Sequence, residues 1–335
     1  MGTAALMAGG RRLLAGPEPT ASNVSKRDRM LAWLEGKSEP GYTPAAFFLH
    51  FDKEHKVGSA AAARHLEYFM ATEMDFVKIQ YEQEYRPLDF LKKPSDWARL
   101  SPHGLDFYEP QLETVREIVR AKKREALVIM TLYSPFMWAG HSATRPVLLR
   151  HMEEDPVAVK RGLDTLVESQ LGFIRACVAA GVDGFYMSTQ GSETGQFSTP
   201  RLFRDFVKPA DLVGMGEAAK ACPFNIVHVC DDNAPYADYA AVADYPGQVV
   251  SCCPKLTERT LSWQEVSSIF DRPGMGGMER KGVIASGSLQ DLRSEVRRVL
   301  GSAPRRFILG ADCTVPSSTD WARIRCAVDT AHGVA

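Results

Sequence analysis

Short apolar runs alternate along the chain with longer stretches in which apolar residues recur at helical spacing. Most of the short runs are apolar throughout, which is typical of buried parallel strands. Eight of them are predicted as strands, namely Ala45–Phe51, Phe76–Gln80, Leu127–Tyr133, Gly184–Ser188, Asn225–Cys230, Gln248–Cys253, Gly282–Gly287 and Phe307–Cys313. The longer stretches predict helices at Ala60–Ala71, Gln111–Lys123, Asp155–Ala180, Pro200–Cys222, Trp263–Phe270, Leu289–Leu300 and Asp320–Ala331.

Eight strands that each lead into a helix or helix-like segment predict an α/β fold, a single (β/α)8 TIM barrel. An open, doubly wound sheet is the alternative, but no Gly-x-Gly-x-x-Gly motif follows an early strand to favour it. We assign residues 26–335 to the barrel. Residues 1–25 are predicted to be a flexible N-terminal tail, because Arg11 and Arg12 follow a short apolar stretch, the reverse of the order in a secretory signal.

Composition narrows the class of protein. A hydrophobic content of 45%, a charged content of 24% and a net charge of −1 are typical of a globular protein, and they predict neither a nucleic-acid nor a membrane partner. No apolar run reaches the roughly 18–20 residues of a membrane span. The 7 cysteines are not spaced like a disulfide framework, which favours a reducing, cytoplasmic location with free thiols.

A histidine and two cysteines at the ends of two predicted strands carry the strongest chemical signal. His228 and Cys230 are two residues apart, so on a strand their side chains point to the same face. Cys313 ends another predicted strand, and the carboxyl ends of barrel strands meet at one mouth. One imidazole and two thiolates form a zinc ligand set that leaves a fourth position for substrate. The sequence therefore predicts a zinc site at these three residues.

Two further cysteines, Cys252 and Cys253, close the sixth predicted strand. Because side chains alternate along a strand, only one of the two is expected to face the mouth. We name Cys252 as a candidate additional zinc ligand. The alternative is that it is a small residue that fills the barrel rim.

Polar side chains also end the fourth predicted strand. Tyr186, Ser188 and Gln190 alternate and therefore share a face, and Glu193 follows them. Such groups suit the binding of a polar substrate, although hydrogen bonding within the barrel mouth is an equal alternative. We predict that Tyr186 is catalytic and that Ser188, Gln190 and Glu193 bind substrate.

The first two predicted strands contribute three more candidates. Asp75 is predicted to be catalytic, and His50 and Lys78 to bind substrate. The alternatives are that Asp75 and Lys78 neutralise each other, since burying either charge alone is costly, and that His50 is structural. The aromatic stretch Tyr133–Trp138 is interpreted as a loop that covers the pocket.

Four segments resemble the uroporphyrinogen decarboxylase superfamily, and especially its zinc-dependent methyltransferase branch. They are Thr72–Lys78, Gly181–Tyr186, His228–Cys230 and Ile308–Pro316. The resemblance extends from about Lys26 to the end of the chain, and it implies a (β/α)8 barrel. In the methylcobamide:thiol methyltransferases of this family a His-x-Cys…Cys arrangement binds zinc, and those positions fall on His228, Cys230 and Cys313.

Two departures from the family pattern bear on function. Porphyrinogen decarboxylases carry an arginine-bearing motif on the first strand and lack the zinc cysteines, whereas Phe47–Asp52 contains no arginine. This difference argues against a haem-pathway decarboxylase. Relatives commonly have glycine after the first zinc cysteine, where this chain has Asp231, which leaves the identity of the acceptor open.

The leading hypothesis is a zinc-dependent methyltransferase that activates a small-molecule thiol. The resemblance implies a corrinoid protein, carrying methylcobalamin, as the methyl donor or acceptor, and a homodimer is a further partner to consider. One alternative is a cofactor-independent decarboxylase or lyase for a small acidic substrate, with Asp75 and Tyr186 as acid–base groups. The other is a non-enzymatic metal carrier or thiol sensor that uses four clustered cysteines.

Overall fold

A curled sheet of parallel strands surrounded by helices forms the protein, in a computed structural model that describes residues 24–37, 39–83 and 85–334. The seven strands found among these residues are β1 Phe76–Ile79, β2 Leu127–Tyr133, β3 Gly184–Thr189, β4 Ile226–Val229, β5 Val249–Cys252, β6 Gly274–Met278 and β7 Phe307–Ala311. Each strand pairs in parallel with the next along the chain, so the order in the sheet is β1-β2-β3-β4-β5-β6-β7.

Helices fill the connections between the strands. They are α1 Lys26–Leu34, α2 Gly58–Thr72, α3 Leu105–Lys122, α4 Pro135–Ala143, α5 Arg145–Glu154, α6 Pro156–Ala180, α7 Pro200–Leu202, α8 Lys208–Ala221, α9 Trp263–Phe270, α10 Val283–Ser286, α11 Leu289–Ser302 and α12 Trp321–Ala331. Short 3-10 segments lie at Lys53–His55 and Pro94–Arg99, and a π-helical turn at Phe203–Val207 leads into α8. Within the described ranges, no helix is long and apolar enough to cross a membrane.

The predicted parallel α/β architecture is confirmed, and six predicted strands coincide with observed ones. The prediction of a strand at Gly282–Gly287 is wrong, because that segment contains the short helix α10. The strand lies earlier, at β6, where a Cβ at Gly274 or Gly276 would come within 2.6 or 2.5 Å of the Trp263 indole. Only glycine leaves room for that ring, which gives β6 a sequence of low strand propensity.

The first predicted strand, Ala45–Phe51, is an extended segment that joins the two edges of the sheet by isolated hydrogen bonds. Ala46 N–H donates to Leu309 O of β7 at 2.9 Å, and Leu309 N–H donates to Pro44 O at 2.8 Å. On the other side, Asp75 N–H donates to Ala45 O at 3.1 Å. The prediction of eight strands is therefore confirmed in part, as seven strands and one connecting segment.

The predicted helices form with different ends, and four observed helices, α1, α4, α5 and α10, were not predicted. The prediction of a loop at Tyr133–Trp138 is wrong, because Tyr133 ends β2 and α4 begins at Pro135. α4 begins after Ser134, whose hydroxyl accepts a hydrogen bond from Met137 N–H at 3.2 Å, the usual N-cap arrangement. The predicted N-terminal tail lies outside the described residues, apart from its last two.

α1 covers the amino-terminal end of the strands. Arg27 donates to both carboxylate oxygens of Asp183, at 2.8 and 2.7 Å, and Asp183 also accepts from Val128 N–H at 2.9 Å. Met30 and Trp33 of α1 are fully buried. This end of the sheet is therefore closed by apolar packing and a bidentate ion pair, which leaves the carboxyl end for a site.

Gly184, the first residue of β3, lies where β3 approaches the residues just before β4. A Cβ at Gly184 would lie 1.6 Å from the carbonyl oxygen of Phe224, so Gly184→Ala must separate two backbone segments. We expect the substitution to lower the free energy of unfolding by about 3 kcal/mol or more, as measured by urea denaturation.

Gly216→Ala on α8 is the matched control. No atom lies within 4 Å of a Cβ at Gly216, so we expect a gain in stability of about 0.5–1 kcal/mol from the higher helix propensity of alanine. A Gly184→Ala protein as stable as the wild type would contradict the close backbone approach.

Candidate metal centre

The structure brings the three predicted zinc ligands together. His228 lies on β4, Cys230 directly follows that strand, and Cys313 lies two residues beyond β7. Their ligand atoms all lie within 4.8 Å of one another, and Cys313 Sγ is 3.5 Å from His228 Nε2. β4 and β7 are not neighbours in the sheet, so the curl of the sheet makes this contact.

The His228 ring is held with Nε2 toward the cysteines. Its Nδ1 lies 3.2 Å from both the carbonyl oxygen and the hydroxyl of Ser251 on β5. The ring stacks on Tyr186, with ring centroids 4.9 Å apart. A proton on Nδ1 donated to the carbonyl leaves the lone pair of Nε2 for a metal, and a hydrogen bond from the other ring nitrogen usually selects this tautomer in metal-binding histidines.

The two cysteine sulfurs lie within 4.8 Å of each other, and this contact shifts their pKa values in opposite directions. The Cys230 thiol, with His228 and Arg280, lowers the pKa of Cys313 below its usual value. The same contact, together with burial, raises the pKa of Cys230. Cys313 is therefore the first of the pair to become a thiolate.

A nitrogen and two sulfurs, with no carboxylate among them, form a donor set suited to zinc rather than to magnesium or calcium. Gln190 Nε2 donates to Cys230 Sγ at 3.3 Å, which adds a hydrogen bond of the kind that stabilises a metal-bound thiolate. The residues present thus fit a zinc ion with three protein ligands.

The structure does not bring the additional candidate Cys252 into this cluster. In the pairing of β4 with β5, Ser251 lies opposite His228 and Cys252 lies opposite Val229. Paired residues point to the same face, so Ser251 faces the site and Cys252 is buried on the other face, beside Tyr239. Cys253 is half-buried and lines a separate cleft.

A cavity of about 420 Å³ opens beside the cluster, a volume that suits a small molecule. Five of the predicted catalytic and substrate-binding residues line it, namely His50, Lys78, Tyr186, Ser188 and Gln190. The sequence-based prediction missed other lining residues, among them Thr131, His141, Arg145, Asn233 and Thr314, whereas Tyr133 and Met137 belong to the aromatic stretch that was predicted to cover the pocket. Several of these come from α4 and α5 or from the turns after strands, which carried no motif.

Lys78 and Tyr186 form the floor of the cavity. Lys78 Nζ lies 4.7 Å from the ring centroids of both Phe48 and Tyr186, and it donates to the amide oxygen of Gln80. Burial lowers the pKa of Lys78 to about 7, against the opposing effect of Cys313. Burial raises the pKa of Tyr186 well above its usual value, so its hydroxyl, 3.1 Å from Ser251 Oγ, stays protonated.

Glu193 lies behind the cavity wall, where it holds Arg145. The carboxylate accepts from Arg145 at 3.1 Å and from Gly191 N–H at 2.5 Å. Arg145, from α5, also donates to Gln190 Oε1 at 2.8 Å. Because Gln190 in turn bonds Cys230, Glu193 reaches the cluster through two intermediate side chains rather than facing it.

The structure does not bring Asp75 to the cavity. Asp75 precedes β1 and therefore lies at the opposite end of the sheet from the cluster. Its carboxylate accepts from Tyr42 Oη at 2.5 Å and from Ala45 N–H at 2.7 Å, and it lies 2.9 Å from His332 Nε2. The predicted alternative of an ion pair with Lys78 is not found, since Lys78 points to the carboxyl end.

His50 lies at the rim of the cavity. Its Nδ1 is 2.6 Å from a carboxylate oxygen of Glu82, and its side chain is 41% exposed. Glu82 contacts only one nitrogen of the imidazole. The other ring nitrogen is therefore a polar atom that His50 can offer to a ligand in the cavity.

Comparison with known proteins identifies the family. Residues 70–334 match the model of the uroporphyrinogen decarboxylase (URO-D) family. The chain therefore belongs to this family, as the sequence segments predicted. No curated protein matches the chain.

Two solved structures share the fold. A methyltransferase from Methanosarcina mazei aligns with a TM-score of 0.73 at 14% identity, over 92% of this chain and 98% of its own. A B12-independent methionine synthase from Shewanella sp. W3-18-1, in complex with selenomethionine, aligns with a TM-score of 0.53 at 12% identity, over 88% of this chain and 97% of its own. The agreement over nearly the whole of each chain supports a TIM-barrel-like fold.

Zinc content tests the three-ligand site. We expect the purified protein to hold one zinc ion per chain, and Cys230→Ser or His228→Ala to lose it, because each removes one of three donors. Cys252→Ser is the matched control and should keep the metal. Elemental analysis after dialysis measures both, and stoichiometric zinc in Cys230→Ser would rule out this ligand set.

Proposed function

We propose that the protein is a zinc-dependent methyltransferase whose substrate is a small-molecule thiol. The observation that carries the proposal is a donor set of one imidazole and two sulfurs that opens onto a cavity of about 420 Å³. Zinc bound there would lower the pKa of a coordinated thiol, so that a nucleophilic thiolate forms at neutral pH.

The residues around the cluster have separate roles in this proposal. His228, Cys230 and Cys313 hold the metal, and Ser251 keeps Nε2 of His228 directed toward it. Ser188 and Tyr186 offer hydroxyl groups along the cavity, and they orient the polar part of the substrate. Lys78 Nζ, with its pKa near 7, can exchange a proton inside the cavity at neutral pH.

The relatives support transfer of a methyl group. Two of the solved structures that share the fold are, by name, a methyltransferase and a methionine synthase. We propose that the methyl donor is methylcobalamin on a partner corrinoid protein. In that reaction the thiolate sulfur would attack the methyl carbon as the cobalt–carbon bond breaks, and both electrons of that bond would stay with the corrinoid, the leaving group, as cob(I)alamin.

The other two hypotheses have weaker support. A decarboxylase that uses Asp75 and Tyr186 as acid–base groups requires both at one site, and Asp75 lies at the far end of the sheet. A metal store built from four cysteines requires Cys252 and Cys253 near the cluster, and neither is among its ligands.

Methyl transfer can be measured directly. Under anaerobic conditions, we expect the zinc-loaded protein to convert methylcobalamin and a suitable thiol from a panel into cob(I)alamin and the methyl thioether. Absorbance follows the corrinoid and mass spectrometry follows the thioether. Cys313→Ser should slow the reaction at least about 100-fold, because a direct ligand is lost, whereas Cys252→Ser should be unaffected.

Two outcomes would contradict this function. Turnover that continues at the same rate after zinc is removed would exclude a role for the metal. Release of carbon dioxide from a small acidic substrate by the zinc-free protein would favour the decarboxylase alternative.

A further inference from the structure

Arg280 bridges the two strand ends that carry the cysteines. Its Nη1 donates to Asp231 Oδ1 at 2.6 Å and lies 3.7 Å from Asp312 Oδ1. Its backbone N–H donates to the same Asp312 oxygen at 2.9 Å. Asp231 directly follows Cys230 and Asp312 directly precedes Cys313, so one arginine is bonded next to both sulfur ligands.

This bridge, formed by Arg280, Asp231 and Asp312, connects the ends of two strands that do not pair with each other. Cys230 follows β4 and Cys313 follows β7, with β5 and β6 between them. Asp312 N–H donates to Met278 O at 3.0 Å, which ties the β7 end to β6. The guanidinium of Arg280, two residues after β6, extends that connection to the end of β4.

The bridge is sheltered from solvent. The side chains of Arg280, Asp231 and Asp312 are 18%, 15% and 12% exposed. Sheltered, charge-assisted hydrogen bonds are stronger and more rigid than surface ion pairs. Arg280 is not among the residues that line the cavity beside the cluster, so it acts from outside the site.

We propose that Arg280 is a positioning residue of the metal centre, which sets the separation of Cys230 and Cys313 and thereby the affinity for zinc. The inference rests on the proposed zinc site. When Arg280 is removed, the loss of its charge and the loss of its bridging hydrogen bonds predict opposite changes in the affinity for zinc. Loss of a positive charge next to a cation site strengthens metal binding by Coulomb's law, whereas loss of the bridge lets the sulfurs separate and weakens it.

Zinc affinity decides between these effects. We expect Arg280→Met to raise the zinc dissociation constant by about 10- to 100-fold, the range found when residues that hold metal ligands in place are lost. Competition with a chromophoric chelator measures the constant. Arg280→Lys keeps the charge and should restore part of the affinity.

Arg298→Met is the matched control. Arg298, on α11, lines the same cleft as Arg280, but it is 66% exposed and pairs with Glu295. The substitution removes the same charge without touching either strand end. We expect its zinc dissociation constant to stay within about 2-fold of the wild-type value, because an exposed pair contributes little.

Cobalt(II) provides a readout that does not depend on activity. In cobalt-substituted wild-type protein, the thiolate-to-cobalt and d–d absorption bands report both sulfur ligands. We expect Arg280→Met to weaken the charge-transfer band and to shift the d–d bands. Asp231→Ala should change the charge-transfer and d–d bands in the same direction. The double variant should change them little more than either single variant, because both substitutions break the hydrogen bond between Arg280 and Asp231.

The results separate this inference from the proposed function. A folded Arg280→Met protein with wild-type or tighter zinc binding would overturn the positioning role and leave the methyltransferase proposal intact. If thermal denaturation shows that Arg280→Met does not fold, Arg280→Gln, which also removes the positive charge, tests the same link. A wild type that binds zinc but transfers no methyl group would overturn only the function, and one that binds no zinc would contradict both.

Discussion

The hydrogen bonds that join the two edges of the sheet are the constraint on which the candidate metal centre depends. In a flat sheet, β4 and β7 would be three strand spacings apart, roughly 14 Å, which is too far for one ion. The segment around Ala45 and Ala46 bonds to β7 on one side and to Asp75 on the other, and so keeps the sheet curled. Asp75 therefore serves the site from the far end of the sheet. Its buried carboxylate has hydrogen-bond partners in Tyr42 and Ala45, which makes its burial tolerable.

The sequence could predict that the three candidate metal ligands lie together because their signal is local, and their ligand atoms do lie within 4.8 Å of one another. His228 and Cys230 share a face by the two-residue period of a strand, and Cys313 needed only a correct strand end. For Cys252, the sequence did not reveal which face of the sheet the side chain lies on. Alternation shows that every second residue of β5 faces the site, but it does not show which ones. The pairing with β4 shows that Ser251 faces the site and that Cys252 does not. Register is a property of two strands together, so one apolar run cannot reveal it.

Other elements were hidden by tertiary packing. The glycines of β6 leave room for Trp263 of α9, so their low strand propensity reflects a side chain of another element that packs directly on them. Arg145 and Arg280 reach the site region from α5 and from the turn after β6, and a lone arginine outside a motif looks like any surface arginine. Their partners become visible only when Gln190 and Asp231 are placed beside them.

The cavity has two walls of different construction. One is helical, with His141 of α4 and Arg145 of α5, and the buried rings of Phe136 and Trp138 anchor it. The other consists of turns after strands, where Asp232 and Asn233 are exposed. Substitutions in exposed turns change stability little, whereas those in a packed helix are costly. Selection can thus alter ligand preference on the turn side while the helical side and the proposed metal ligands stay unchanged, which gives this scaffold a route to diversify without refolding.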